Sequence, residues 1–159
     1  MDDRWVTASA MAVEGAGCGV VATTALSALM LGWQRRVGGG RLAPALVTDR
    51  ALFAVNARPS RPARALIQTA AHFAFGTMAG AAYGAVTSAL PRVAPLVDRC
   101  PPVLRGAGYG LSLWAVSYGA ALPTLNILPP PSADQPGRQW RLVAAHLVYG
   151  ATLGLTMGV

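Results

Sequence analysis

Apolar residues fall in four long runs, at about 6–32, 65–90, 103–128 and 142–159, separated by stretches that carry most of the charge and proline. Each run is near the ~20 residues that a helix needs to cross a hydrocarbon core of about 30 Å. In lipid the backbone must satisfy its own polar groups, which leaves helices or a closed barrel. Runs this long and this continuous predict helices. Trp5 and Trp33 flank the first run, and Trp140 and Arg141 begin the fourth, as interface anchors would. Within the third run, Pro123 should kink or end the helix, because proline has no N–H to donate. The expected fold is an all-α membrane protein of four transmembrane helices, forming one domain over 1–159.

Composition strengthens this pattern. Hydrophobic residues make up 53% of the chain and charged residues 12%, where a soluble domain carries roughly 25% charged residues. The net charge of +7 comes from 13 arginines, with no lysine, against 6 acids. Such a basic chain raises nucleic acid as a partner, but no RNA- or DNA-binding motif is present and the arginines cluster between the apolar runs. Membrane topology and contact with anionic headgroups fit better.

The three connections differ in kind. The first, 34–64, holds seven arginines (35, 36, 41, 50, 58, 61 and 64) against Asp49 alone. Its "ALVTDRALFAV" segment is too short to span and is expected to form an amphipathic helix on the membrane surface. The second, "PRVAPLVDRCPP", is stiffened by prolines, and the third, "PPPSADQPGR", is turn-rich and polar. With Arg138 and Arg141, the first and third connections carry nine arginines; Arg4, Arg92, Arg99 and Arg105 lie on the other side. The positive-inside rule then places the arginine-rich connection in the cytoplasm and both termini outside. "MDDRW" has two acids before its first arginine, unlike a signal peptide, so the first run is expected to be a retained span. Cys18 and Cys100 should lie at different depths, unbridged, and no Cys/His zinc pattern occurs.

The only two histidines sit in matching frames, "AAHFAFGTMAG" from Ala70 and "AAHLVYGATLG" from Ala144. Each is followed by glycine at +4, +8 and +12: His72 by Gly76, Gly80 and Gly84, and His146 by Gly150, Gly154 and Gly158. Phe75 aligns with Tyr149. The preceding helices share "GAGCGV" (Gly15, Gly17, Gly19) and "GAGYGL" (Gly106, Gly108, Gly110). The order of motifs points to two tandem helical hairpins related by a pseudo-twofold axis along the membrane normal. Glycines at four-residue spacing form one helical stripe and allow the close backbone approach that drives helix association in lipid.

Few residues offer chemistry. If the two stripes face the axis, His72 and His146 approach one another. They then either bond backbone carbonyls and hydroxyls, ligate a haem, or handle protons. No third ligand type accompanies them, so no metal site is expected. Glu14 and Arg105 hold matching places before the two "GAG" motifs, as an interhelical ion pair or a gate. Asn126 follows Pro123 and could satisfy freed backbone groups, either at a cavity or at a plain helix end. No Walker loop, nucleophile elbow or paired carboxylate is present, and no enzymatic activity or cofactor is expected, haem excepted.

The segments "GAGCGVVATTALSALM", "AHFAFGTMAGAAYGA", "GYGLSLWAVSYGAALPTLNI" and "RLVAAHLVYGATLGL" together resemble the YagU-like group of small bacterial inner-membrane proteins. That resemblance implies a multi-span inner-membrane protein and no defined activity; the arginine-rich first connection departs from it. The leading expectation is a non-enzymatic bundle acting as an oligomer or as an accessory subunit, because its glycine faces exceed what one small bundle needs and its arginine-rich segment could dock a partner. The alternatives are a channel or transporter for ions, protons or a small solute, with Glu14, Arg105, both histidines and Asn126 along its path, and a bis-histidine haem protein.

Overall fold

The structure is a computed structural model, and residues 3–37, 41–135 and 137–158 are described. They form helices and turns, with no strand among them. The long elements are α1 (Asp3–Val37), α3 (Arg61–Thr87), α6 (Pro102–Trp114) and α8 (Arg138–Met157). Shorter ones are α2 (Ala43–Ala54), α4 (Leu90–Val93) and α5 (Pro95–Asp98). After α6 the chain continues through a π-helical segment, Ala115–Ala121, into α7 (Leu122–Thr124). The apolar runs are therefore helices, and the first connection is partly helical. Val159 and the side chains of Arg4, Trp5 and Arg92, invoked above, lie outside what is described.

The third run ends its helix just past Pro123, as expected, and continues irregularly to 128. Its last helical residue is Thr124, and Asn126 takes a left-handed conformation with φ 53°. Pro123 explains both features. It gives no N–H to the preceding turn, and its ring crowds the carbonyl four residues back. The widened π turn ahead of it relieves that crowding.

Two antiparallel pairs, α1 with α3 and α6 with α8, make the closest contacts, and α1 also packs on α8. Glycines set the first two. A Cβ on Gly15 would fall on the carbonyl oxygen of Gly80, and one on Gly80 on that of Gly15. Gly84 likewise meets the carbonyl of Met11, and a Cβ on Gly19 would lie 2.6 Å from that of Gly76. In the second pair Gly106 and Gly150 face each other's carbonyls, Gly110 faces that of His146, and Gly154 that of Pro102. Backbones this close maximise dispersion contacts.

Three glycines expected in packing are not there. A Cβ on Gly17, Gly108 or Gly158 would meet nothing within 4 Å. Gly17 and Gly108 lie two residues from the packed glycines, on the opposite helix face. Gly158 caps α8 in the left-handed region, φ 66°.

The hairpins are joined by tyrosines. Tyr109 of α6 donates to the carbonyl of Ala79 (2.7 Å), and Tyr149 of α8 to that of Gly76 (2.6 Å), both on α3. Around them Leu26, Tyr83, Leu153 and Met157 form the core. Tyr149 is buried in this core, whereas its aligned residue Phe75 is 49% exposed.

Of the described helices, only α1, over Val6–Arg36, is long and apolar enough to cross a membrane by length and composition alone. Glycine, threonine and histidine dilute α3 and α8, and the π segment leaves α6 with 13 residues.

Candidate functional site

The glycine contacts close one half of the bundle. Toward the other half, α1 carries Leu26 and Met30, α3 carries His72 and Phe75, and α8 carries Leu142 and His146. Larger side chains hold the hairpins apart there and leave a cavity of about 340 Å³ between all four long helical rods. The Pro44, Val47 and Thr48 face of α2 covers it. Proline at its first turn suits α2's start, since that N–H would be unbonded in any helix.

A carboxylate holds this cover in place. Asp49 of α2 accepts from Gln68 of α3 at 2.9 Å, pairs with Arg41, and lies 3.9 Å from Arg64. Burial pushes the Asp49 pKa up, but the hydrogen bonds from Arg41 and Gln68 and the charges of Arg41 and Arg64 outweigh it, so the carboxyl titrates below its ordinary 3.8.

The cavity lining is largely apolar, and its hydroxyls already have protein partners. Thr23 donates to Gly19 O (2.7 Å), Thr48 to Pro44 O (2.9 Å), Ser117 to Leu113 O (2.6 Å), and Tyr149 to Gly76 O. Tyr118 donates to Asp134. The imidazoles keep one nitrogen each. His146 Nδ1 lies 2.8 Å from Leu142 O, and since a carbonyl only accepts, the proton sits on Nδ1. Nε2 of neutral His146 is then an acceptor without a protein partner. His72 Nε2 hydrogen-bonds with Ser27 Oγ at 3.0 Å, leaving Nδ1 without one. Both histidines thus line one space; His72 makes the cross-helix hydroxyl bond that was the plainer expectation, whereas His146 bonds a carbonyl of its own helix, four residues back.

The other three candidates do not line this cavity. Glu14 is exposed on α1, and Arg105 pairs with Asp98 rather than Glu14: its Nη1 donates to Asp98 Oδ1 (2.8 Å) and Asp98 O (3.1 Å). The reason is local reach. Asp98 precedes α6 by only a short turn, while Glu14 lies on a face turned away from the bundle. Asn126 is exposed and shapes the turn through its backbone, not through a side-chain bond. These residues therefore do not form one path with the histidines. Among the described residues, no group of three or more His, Cys, Asp or Glu converges as a metal site.

One buried cluster escaped the sequence reading. Tyr118 is 1% exposed, and the Asp134 carboxylate it bonds also accepts from Arg138 Nη1 at 2.8 Å. Asp134 lies in the loop before α8, which begins at Arg138, so their spacing is no helical pairing signal, and Tyr118 takes its direction from the π segment. Compared with protein-family models, with curated proteins and with solved structures, the chain gives no match.

Proposed function

We propose that this chain is a four-span integral membrane protein, built from a duplicated helical hairpin, that binds a small, largely apolar molecule between its hairpins. Apolar side chains on every long rod support the bilayer placement: Val13 is 74% exposed, Met78 71%, Val116 66% and Leu155 65%. Each belongs to a different helical rod, and water would penalise such a belt. The YagU-like resemblance accords with an inner-membrane location. The arginine balance puts α2 on the cytoplasmic side.

The observation that carries the binding function is the single cavity shared by both histidines. Its volume of about 340 Å³ falls within the ~300–1,000 Å³ of small-molecule pockets. Its lining offers apolar surface and two free imidazole nitrogens, a setting for a molecule with few polar atoms. The accessory-subunit expectation rested on surplus glycine surface and on an arginine-rich segment able to dock a partner. Nine of the twelve glycines assigned to packing are taken up inside the bundle, which leaves the arginine-rich segment as its support.

The test is binding of labelled dodecanol to the protein in phosphatidylcholine nanodiscs, with empty discs subtracted. One saturable site per chain is expected, lost in Val47→Trp and in Ser117→Phe, which fill the cavity from α2 and from the π segment. No saturable binding, or binding untouched by both substitutions, overturns the reading.

The shared cavity also favours a second reading, bis-histidine ligation of a haem. Protein made with haem supplied should then show a Soret band that His72→Ala and His146→Ala each abolish; its absence removes this reading.

A further inference from the structure

Next to the histidine cavity lies a second recess of different character. Met30, Ala43 and Leu142 line both, so the two adjoin at these apolar side chains. The recess is lined by Arg41, Arg138, Arg141, Gln34 and Gln135, with Trp33 beside them. Its volume is about 50 Å³, several times the roughly 10–15 Å³ that one water requires.

The charges in the recess are only partly neutralised. Arg41 pairs with Asp49 and Arg138 with Asp134, while Arg141 has no carboxylate partner among the described residues. Each carboxylate holds its arginine in position, and the third guanidinium stays available. Guanidinium groups present forked donors that match phosphate oxygens, and glutamine amides add further donors. Both recess and cavity lie at the end of the bundle where the first and third connections meet. On the proposed topology this is the headgroup level of the cytoplasmic leaflet, where anionic lipids gather. Trp33 suits the same level.

Resting on the binding function proposed above, we infer that the bound molecule is a single-chain amphiphile with a phosphate head. The head sits among Arg41, Arg138 and Arg141, and the chain passes Met30, Ala43 and Leu142 into the histidine cavity. A neutral apolar molecule would leave the Arg141 charge without a counterion. A free phosphate would leave the cavity unused.

Dodecyl phosphate, dodecanol and inorganic phosphate, bound to the protein in phosphatidylcholine nanodiscs, test this. Dodecyl phosphate is expected to bind about tenfold or more tighter than dodecanol, the scale of one charge-assisted interaction. Arg141→Gln should erase that preference while dodecanol binding stays unchanged. Arg35→Gln, which removes an exposed charge outside the recess, should leave the preference intact. Equal binding of the two probes, unaffected by Arg141→Gln, overturns the phosphate head and leaves the cavity reading standing. An equal loss in Arg35→Gln and Arg141→Gln overturns the recess in favour of diffuse surface attraction. Inorganic phosphate competing at the same concentration as dodecyl phosphate overturns the amphiphile in favour of a free anion. Absence of saturable dodecanol and dodecyl phosphate binding overturns this inference together with the function it rests on.

Discussion

Gly80 and Gly17 are both glycines of a small-residue motif, yet they face opposite environments. A Cβ on Gly80 would collide with the Gly15 carbonyl, whereas one on Gly17 would enter open space. Gly80→Ala should therefore force α1 and α3 apart, at an overpacking cost of about 1–3 kcal/mol. Gly17→Ala should instead be neutral or stabilising by up to about 1 kcal/mol, since alanine restricts the unfolded chain and favours helix. Unfolding of the detergent-solubilised protein by sodium dodecyl sulfate, followed by circular dichroism, reads both. Equal effects would mean that the glycines do not set the interhelix distance. The same contrast marks the limit of the sequence at this scale. A "GAGxG" frame shows that its first and last glycines share a helix face, but not which face meets a neighbour.

At the scale of the element, α2 depends on Asp49 more than on its own length. Twelve residues make a marginal helix without packing, and Asp49 links this one to Gln68 and Arg64 of α3. The depressed pKa gives the sign of the pH dependence. A carboxyl whose folded value lies below its unfolded value contributes its full stabilisation above the unfolded value, here 3.8, and loses it as pH falls through the folded value. Amide exchange over 43–54 should thus show no Asp49-dependent change between pH 5 and pH 8, once the intrinsic rate is removed. It should rise when acid is taken below 3.8. Asp49→Asn should raise exchange of this helix at neutral pH and leave α1 unchanged. Exchange of 43–54 that is the same in both proteins would show that apolar contact alone holds α2. The π segment is the other element with a local cause: Pro123 was legible as a disruption, while the direction it gives Tyr118 was not.

For the whole molecule, the proposed four-span topology makes a prediction through the native cysteines. Cys100 is exposed in the second connection, and Cys18 lies within α1. With both termini outside, a membrane-impermeant maleimide added to intact spheroplasts should label Cys100 and not Cys18. In a Cys100→Ser background, Ser60→Cys should be labelled only after the membrane is opened. The reverse pattern would invert the topology, and labelling of both sites from outside would remove the four-span arrangement. At about 1.5 Å per residue, the 35 residues of α1 extend roughly 52 Å. That exceeds a core of about 30 Å, so on the proposed topology its ends, including Arg35 and Arg36, extend to the headgroups.

The register between helices shows where local and global information part. Superposing the two "GAG" motifs and the two histidines pairs Gly15 with Gly106 and Gly80 with Gly154. In the structure Gly80 faces Gly15, but Gly154 faces Pro102, one helical turn before Gly106. The second hairpin keeps the order of its motifs and slides by a turn. Glycines every fourth residue permit this, because a four-residue shift brings an equivalent ridge into the same groove. The chain by itself determined the helical runs, the helix face shared by each histidine and its glycines, and the uneven distribution of arginine, since all of these follow from periodicity and position along the chain. Packing in three dimensions chose which carbonyl each glycine meets, gave Asp98 to Arg105, and opened a cavity beneath α2. Those outcomes depend on how bulky side chains at the ends of the stripes and the connections between helices choose among slides that the stripes alone leave equivalent.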